Sequence, residues 1–405
     1  MTSYLSREMS LNYCREMGVD YERKLTLRYV EVVHGVLHPL SPSKVSPGRL
    51  VGGVLDKDGA FVEFSATKRF SPHSFKLDIF DWFDSPAEYN DVEAVQSIEN
   101  AVFLGALPNH YGHFITEGLS RLWFCMDIVP SDFNFVYISE CEQSRFLEFF
   151  RLFGIPEDRL VEVVCPTRFD RLLVPEPSIR LHDYFHEGYG LAIKRICENC
   201  KPVAPSKIFL SKANSTNGRG IGELPIQRIF HDNQFSILFP EEVGIEAMVS
   251  ALQACSLLVG VSGSLLHNAI FLPDGSRIVC LNRSAHFHPL QTMINRMRQI
   301  DAVYVDAFLF SSIRNFGELP CFVFPTRHLL RYFSDHSFAY SGSALVTLAL
   351  FEFPSFALKY LYVEYSRLLH YLDSSPRLLP RVLSSSIRGF VQGCRRISRF
   401  LRESM

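Results

Sequence analysis

From Ala101 onward the chain alternates short apolar runs with segments of helical period, and it does so in two sets separated by Lys201-Pro202-Val203-Ala204-Pro205. Such alternation demands a parallel sheet, because neighbouring parallel strands can be joined only by a long crossover, usually a helix. In the first set the strand AVFLGAL (101–107) precedes a polar loop. Apolar residues at 115, 119, 122, 123 and 126 then predict a helix over 114–126. Strands are expected at 135–138, 160–164 and 171–174, with a helix at 144–153. In the second set, strands at 208–210, 235–238, 257–261 and 277–281 alternate with helices at 224–231, 245–254, 265–271 and 289–299.

At 405 residues the chain is two to three times a typical domain. The pattern divides it into a β-rich N-terminal segment of the first domain (1–100), with hairpin-like turns, and an α/β domain over 101–200. A second α/β domain covers 206–305, a helical and aromatic region covers 306–383, and a basic amphipathic helix covers 384–405. Hydrophobic residues at 47% and charged residues at 21% exclude wholesale disorder. A formal charge of −2 excludes a global basic field of the nucleic-acid-binding kind. That figure hides an asymmetry, since residues 376–405 carry seven Arg against one acid. Ten cysteines without paired spacing read as thiols of a reducing compartment, and Cys197 and Cys200 as residues on a helix face. The N-terminus has no apolar signal-like core, and no run reaches about 18 uninterrupted apolar residues. The expected location is the cytoplasm, or the inner face of a membrane.

Three stretches carry chemistry. The first, Asn109–Leu122, follows a buried strand at the carboxyl edge of a sheet, where α/β proteins place ligands. His113 and Glu117 stand four apart on one helical face, and a carboxylate can fix an imidazole tautomer for general-base work. Arg121 is one turn further, placed to bind an anion or to pair with Glu117. The blander alternative is that His113 and Glu117 merely cap a helix start. In the second stretch, Phe209–Glu223, a strand enters a Gly-rich polar loop with Ser211, Lys212 and Arg219 before the helix at Glu223. Backbone N–H groups, hydroxyls and an Arg fork suit a diphosphate, although the spacing is not a Walker loop and a plain loop would look similar. The third stretch ends a buried strand in Ser262-Gly263-Ser264, followed by His267 and Asn268. Small residues at a helix start admit an anion, while Gly-Val-Ser-Gly-Ser lacks the spacing of a hydrolase nucleophile elbow.

In this order and spacing, the three stretches resemble glycosyltransferase family 61, over roughly residues 100–285. His113, Phe114, Glu117, Arg121 and Leu122 fall in register with the family's first block. Leu210-Ser211-Lys212, Arg219 and Glu223 follow the second, and Glu246, Ala254 and Gly260–Asn268 the third. The chain departs from the pattern at Ser262, where the family has His, at Ala247, where it has Gln, and at Lys212, where it has Arg.

The resemblance implies an α/β fold of two Rossmann-like domains facing a cleft, GT-B-like, with the N-terminal β-rich extension and C-terminal amphipathic helix already noted. It implies an inverting, metal-independent transfer from a nucleotide-sugar donor to a glycan acceptor, lipid-linked or of the capsular or lipopolysaccharide type. The nucleotide sugar is a co-substrate, and no cofactor or metal site is expected. Donor-side candidates are Ser211, Lys212, Arg219, Glu223, Ser262, Gly263, Ser264, His267 and Asn268; acceptor-side candidates are Asn109 and Arg121. Either His113 or Glu117 is the base. The competing readings are a transferase-like sugar- or nucleotide-binding scaffold and another nucleotide-dependent enzyme on the same architecture. In the tail, Ile387, Phe390, Val391, Cys394, Ile397 and Leu401 form one stripe flanked by five Arg. That pattern fits an anionic membrane surface, with packing on the protein's own body as the alternative.

Overall fold

A computed structural model describes residues 4–19, 22–42, 50–70, 79–81, 94–127, 130–139, 146–181, 183–203, 206–213, 220–285, 287–308, 321–374, 391 and 395. The chain forms two compact units, Asp20–Lys201 and a second built from Met1–Val19 together with Pro202–Met405. The two units divide between Lys201 and Pro202, and the first helix, α1 (Arg7–Met17), goes with the C-terminal unit.

The unit 20–201 holds a seven-stranded mixed sheet. Its strands are β1 (Tyr29–Val33), β2 (Val36–Pro42), β3 (Leu50–Leu55), β4 (Gln96–Leu107), β5 (Asn134–Ser139), β6 (Leu160–Glu162) and β7 (Thr167–Pro175). The order is β3-β2-β7-β4-β5-β6, with β1 also pairing β7. The pairs β7–β4, β4–β5 and β5–β6 are parallel; β1 and β2 meet β7, and β2 meets β3, antiparallel. The sequence reads the β-rich start as hairpins outside the main alternation, whereas the structure adds β1–β3 to the same sheet. Val32, Leu37 and Val54 from those strands share one core with Phe103, Ile138, Phe169 and Leu172. The run 101–107 is buried throughout, as a central strand covered on both faces requires. The register of β4 on β5 shifts between Phe103 and Gly105, where Gly105 has φ +109°.

The other unit carries five parallel strands: β8 (Lys207–Leu210), β9 (Ser236–Leu238), β10 (Leu257–Val261), β11 (Arg277–Asn282) and β12 (Asp301–Asp306). Their order is β9-β8-β10-β11-β12, or 2-1-3-4-5 along this unit's own chain. Helices α2 (Glu223–Asp232), α3 (Ile245–Gln253) and α4 (Pro289–Met297) fall between strands as the periodicity predicts. Phe209, Phe230, Val259, Val279, Val305 and Phe333 anchor the core. The docking of α1 explains why residues 4–19 leave the sheet that follows them. Asp306 at the end of β12 accepts from the Ser6 N–H at 2.8 Å and from Asn282 Nδ2 at 3.0 Å. The Asn12 amide reaches the Ala285 carbonyl, and Arg296 holds the Met17 carbonyl.

Helix α5 (Arg327–Asp335) and the long α6 (Gly342–Ser374) complete this unit. The sequence suggests a helix only over 356–372; the structure starts it at Gly342 and carries it through the exposed Pro354. Burial of Leu345, Ala349, Phe356 and Tyr360 on one face supports the extra turns. Glu352 adds a tie by accepting the Gly222 N–H at 2.7 Å. Over Gly342–Val363 this helix has a mean hydropathy of 1.4, long and apolar enough by composition to cross a membrane. The helix expected at 384–405 lies outside the described residues, apart from Val391 and Arg395, both helical.

Candidate active site

The carboxyl end of β4 leads through the exposed Asn109 and His110 into a turn at Tyr111–His113. The helix expected over 114–126 is not regular. Phe114–Gly118 is a π-helical turn closed by the Leu119 N–H on the Phe114 carbonyl, and Leu122–Met126 is 3₁₀. Such π segments are uncommon and concentrate at functional sites. Here the turn brings His113 Nδ1 to 2.9 Å from Glu117 Oε2, with the carboxylate buried and the imidazole partly open. The turn is fixed from beneath. Thr116 Oγ1 donates to the Gly112 carbonyl, Ser120 Oγ to the Glu117 carbonyl and the buried Tyr189 hydroxyl to the Ile115 carbonyl. A carboxylate beside Nδ1 favours the tautomer protonated there, the form in which Nε2 accepts a proton.

Arg121 has a different place from the one expected. It is 2% exposed, donating through Nε to the Pro175 carbonyl and through Nη2 to those of Phe64 and Ala66. Burial lowers its pKa to about 10. The guanidinium stands where a side chain at residue 105 would be, since a Cβ there would lie 2.4 Å from Nη1. These contacts tie the carbonyl at the end of β7 to those of Phe64 and Ala66, a bracing role in place of the expected contact with an anion or with Glu117.

The second group of candidates sits in the C-terminal unit. In a sheet of order 2-1-3-4-5 the chain winds in opposite directions from β8 and β10, and ligands bind outside the carboxyl ends of that strand pair. Ser211 and Lys212 follow β8, and Ser262, Gly263 and Ser264 follow β10. Ser211 is buried, donating to Gln227 Oε1 at 2.6 Å and accepting from the Ala213 N–H. Lys212 has an exposed side chain, and its main-chain N–H donates to Glu223 Oε1 at 3.0 Å. Glu223 is itself buried, which raises its pKa against the opposing pull of those hydrogen bonds. It shapes the loop from within. Arg219 lies outside the described residues.

The turn after β10 opens at Gly263 (φ +140°), a conformation that favours glycine. It leads into a 3₁₀ segment, Leu266–Phe271, that turns His267 and Asn268 inward. His267 Nδ1 lies 3.0 Å from Gln291 Oε1 with its ring edge-on to His288, and Asn268 Nδ2 donates to the Leu265 carbonyl. Both are buried, and these contacts support the turn from within. The sequence reading missed Arg283. Its N–H donates to Ser262 Oγ at 3.2 Å, and its guanidinium packs within 3.2–3.3 Å of the position a Cβ on Gly263 would take. A cation one residue beyond a parallel strand was the available signal. Among the described residues no group of three or more His, Cys, Asp or Glu could hold a metal.

Residues 111–279 match the family model described as Glycosyltransferase 61. The chain carries a glycosyltransferase 61 domain. Its span opens on the turn holding His113 and Glu117 and closes inside β11, so it takes in both candidate groups but neither Asn109 nor Arg283. No curated protein matches the chain.

Proposed function

We propose that this glycosyltransferase 61 protein is an inverting, metal-independent enzyme that moves a sugar from a nucleotide-sugar donor to a glycan acceptor. The acceptor is lipid-linked or of the capsular or lipopolysaccharide type. The proposed architecture is GT-B-like, with the acceptor taken by unit 20–201 and the donor by the unit holding β8–β12. The observation that carries the reading is the His113–Glu117 pair inside the family's matched span. In this scheme the acceptor hydroxyl gives its proton to the pair as its oxygen attacks the sugar's anomeric carbon. The bond from that carbon to the donor's phosphate oxygen breaks on the opposite face, and the nucleotide leaves. One displacement inverts the centre. The departing charge meets Lys212, Arg219, Arg283 and the Ser262–Ser264 turn, in place of a divalent ion. No cofactor beyond the donor co-substrate is proposed, and nucleic acid is not a partner. The enzyme is placed in the cytoplasm, on the inner membrane face, with the basic tail on anionic lipid.

Ser262, standing where the family has His, favours a second reading: a sugar- or nucleotide-binding scaffold without turnover. Thermal-shift measurements against UDP-, GDP-, CMP- and ADP-sugars, followed by product analysis with the stabilising donor, separate the two. Binding raises the melting temperature in either case. Hydrolysis or transfer of the sugar supports the enzyme, and stabilisation without any turnover supports the scaffold.

A further inference from the structure

Helix α6 packs one face on its own unit, yet its opposite face is apolar as well. Leu348, Phe351, Leu358, Tyr362, Tyr365 and Leu369 are all exposed, Phe351 at 76%, Tyr362 at 71% and Leu358 at 70%. They recur at steps of three, four and seven residues, which draws one stripe along roughly six turns. A helix at a protein–water boundary carries polar residues on its outer face. Here Glu352 is turned to the Gly222 N–H, and Lys359 flanks the stripe.

We propose that this face lies in the interfacial layer of an anionic bilayer, with α6 parallel to the surface. The proposal rests on the membrane part of the function given above and not on its transferase part. Three observations select lipid as the occupant. Gly342–Val363 is apolar enough to enter a bilayer, and the packing of its other face on the protein makes lying in the surface the available mode. Tyr362 and Tyr365, in the C-terminal half of the stripe, have rings suited to the headgroup layer. Just beyond Ser374 the chain enters residues 376–405, with seven Arg and one acid, a charge complementary to anionic headgroups. A second copy of the chain is the rival occupant. A coiled-coil seam carries charged pairs beside its apolar positions, whereas the flanks here include Pro354, Leu361 and the inward-turned Glu352.

The test uses the intact protein in flotation assays with phosphatidylcholine vesicles, with and without phosphatidylglycerol. Phe351→Asp and Leu358→Asp should each lower binding to the anionic vesicles by at least about tenfold, with unchanged thermal unfolding, while Leu358→Met keeps binding. Phe351→Trp should show a blue-shifted emission on vesicles, quenched by brominated acyl chains. If truncation after Leu383 abolishes binding while the aspartate variants keep it, the membrane reading stands and this face is not the contact. A lipid-free dimer that Leu358→Asp dissociates, without vesicle binding, assigns the face to a second copy and overturns the proposal. If the intact chain floats with neither vesicle type, the proposal and the membrane reading fall together.

Discussion

Glu117 holds a carboxylate oxygen 2.9 Å from Nδ1 of His113 across a π-helical turn, with side-chain exposures of 6% and 32% respectively. A buried acid beneath a partly open imidazole is the arrangement that orients a base without itself meeting the substrate. In the proposed mechanism His113 contacts the acceptor hydroxyl, and Glu117 positions His113.

The division of labour has kinetic consequences. His113→Ala should lower turnover by at least about a hundredfold, the scale of losing a general base, with little change in donor affinity. Glu117→Gln should lower it as well, because the imidazole loses the carboxylate that orients it. Steady-state kinetics decide this. Near-native turnover in both variants would place the base elsewhere.

The α/β alternation and both candidate loops were legible because buried strands and amphipathic helices leave a periodic trace. What depends on distant partners was not. Arg121 reads as an anion binder from its place after Glu117, and only the folded chain shows the carbonyls of Phe64, Ala66 and Pro175 around it. Likewise, nothing near Ser6 announces that its N–H serves Asp306, three hundred residues later. The inward turn of His267 and Asn268 follows from a 3₁₀ segment that the apolar pattern cannot distinguish from an α-helix.

Arg283 should matter for the donor. Isothermal titration with UDP, GDP, CMP and ADP identifies the nucleotide. Arg283→Ala and Lys212→Ala should then each weaken its binding by about tenfold, or about 1.4 kcal/mol. Turnover should persist in EDTA. Complete inhibition by EDTA with rescue by manganese sinks the metal-independent mechanism, and unchanged affinity in both variants removes the diphosphate from this strand edge.

Gly105 and Arg121 should behave as one structural unit. Arg121→Ala removes hydrogen bonds from a charged donor, each worth about 1.5–3 kcal/mol, and strands buried carbonyls. Gly105→Ala meets a positive φ and the guanidinium together, with an expected loss of about 1–3 kcal/mol. Urea denaturation measures both. Arg121→Lys should not rescue, since one ammonium cannot reproduce the planar fork. A variant at Arg121 that keeps full stability but loses acceptor affinity would return this residue to the substrate.

Glu223 offers a test in pH. Its carboxyl titrates above the ordinary 4.5 because burial penalises the charged form, and burial likewise raises Asp306 and Glu352. A folded-state pKa above the unfolded one means that the folded chain binds the extra proton. The associated stability is therefore fully present below the ordinary value and is lost as pH rises through the folded value. Glu223→Gln removes that titration, and its amide oxygen still accepts the Lys212 N–H. The difference in melting temperature, variant minus wild type, should accordingly become more positive from about pH 4 to about pH 7. Asp306 and Glu352 titrate alike in both proteins and cancel in the difference. If the difference instead stays flat, or falls, across that range, the charged carboxylate carries no desolvation cost, and Glu223 is held ionised by partners stronger than the Lys212 amide.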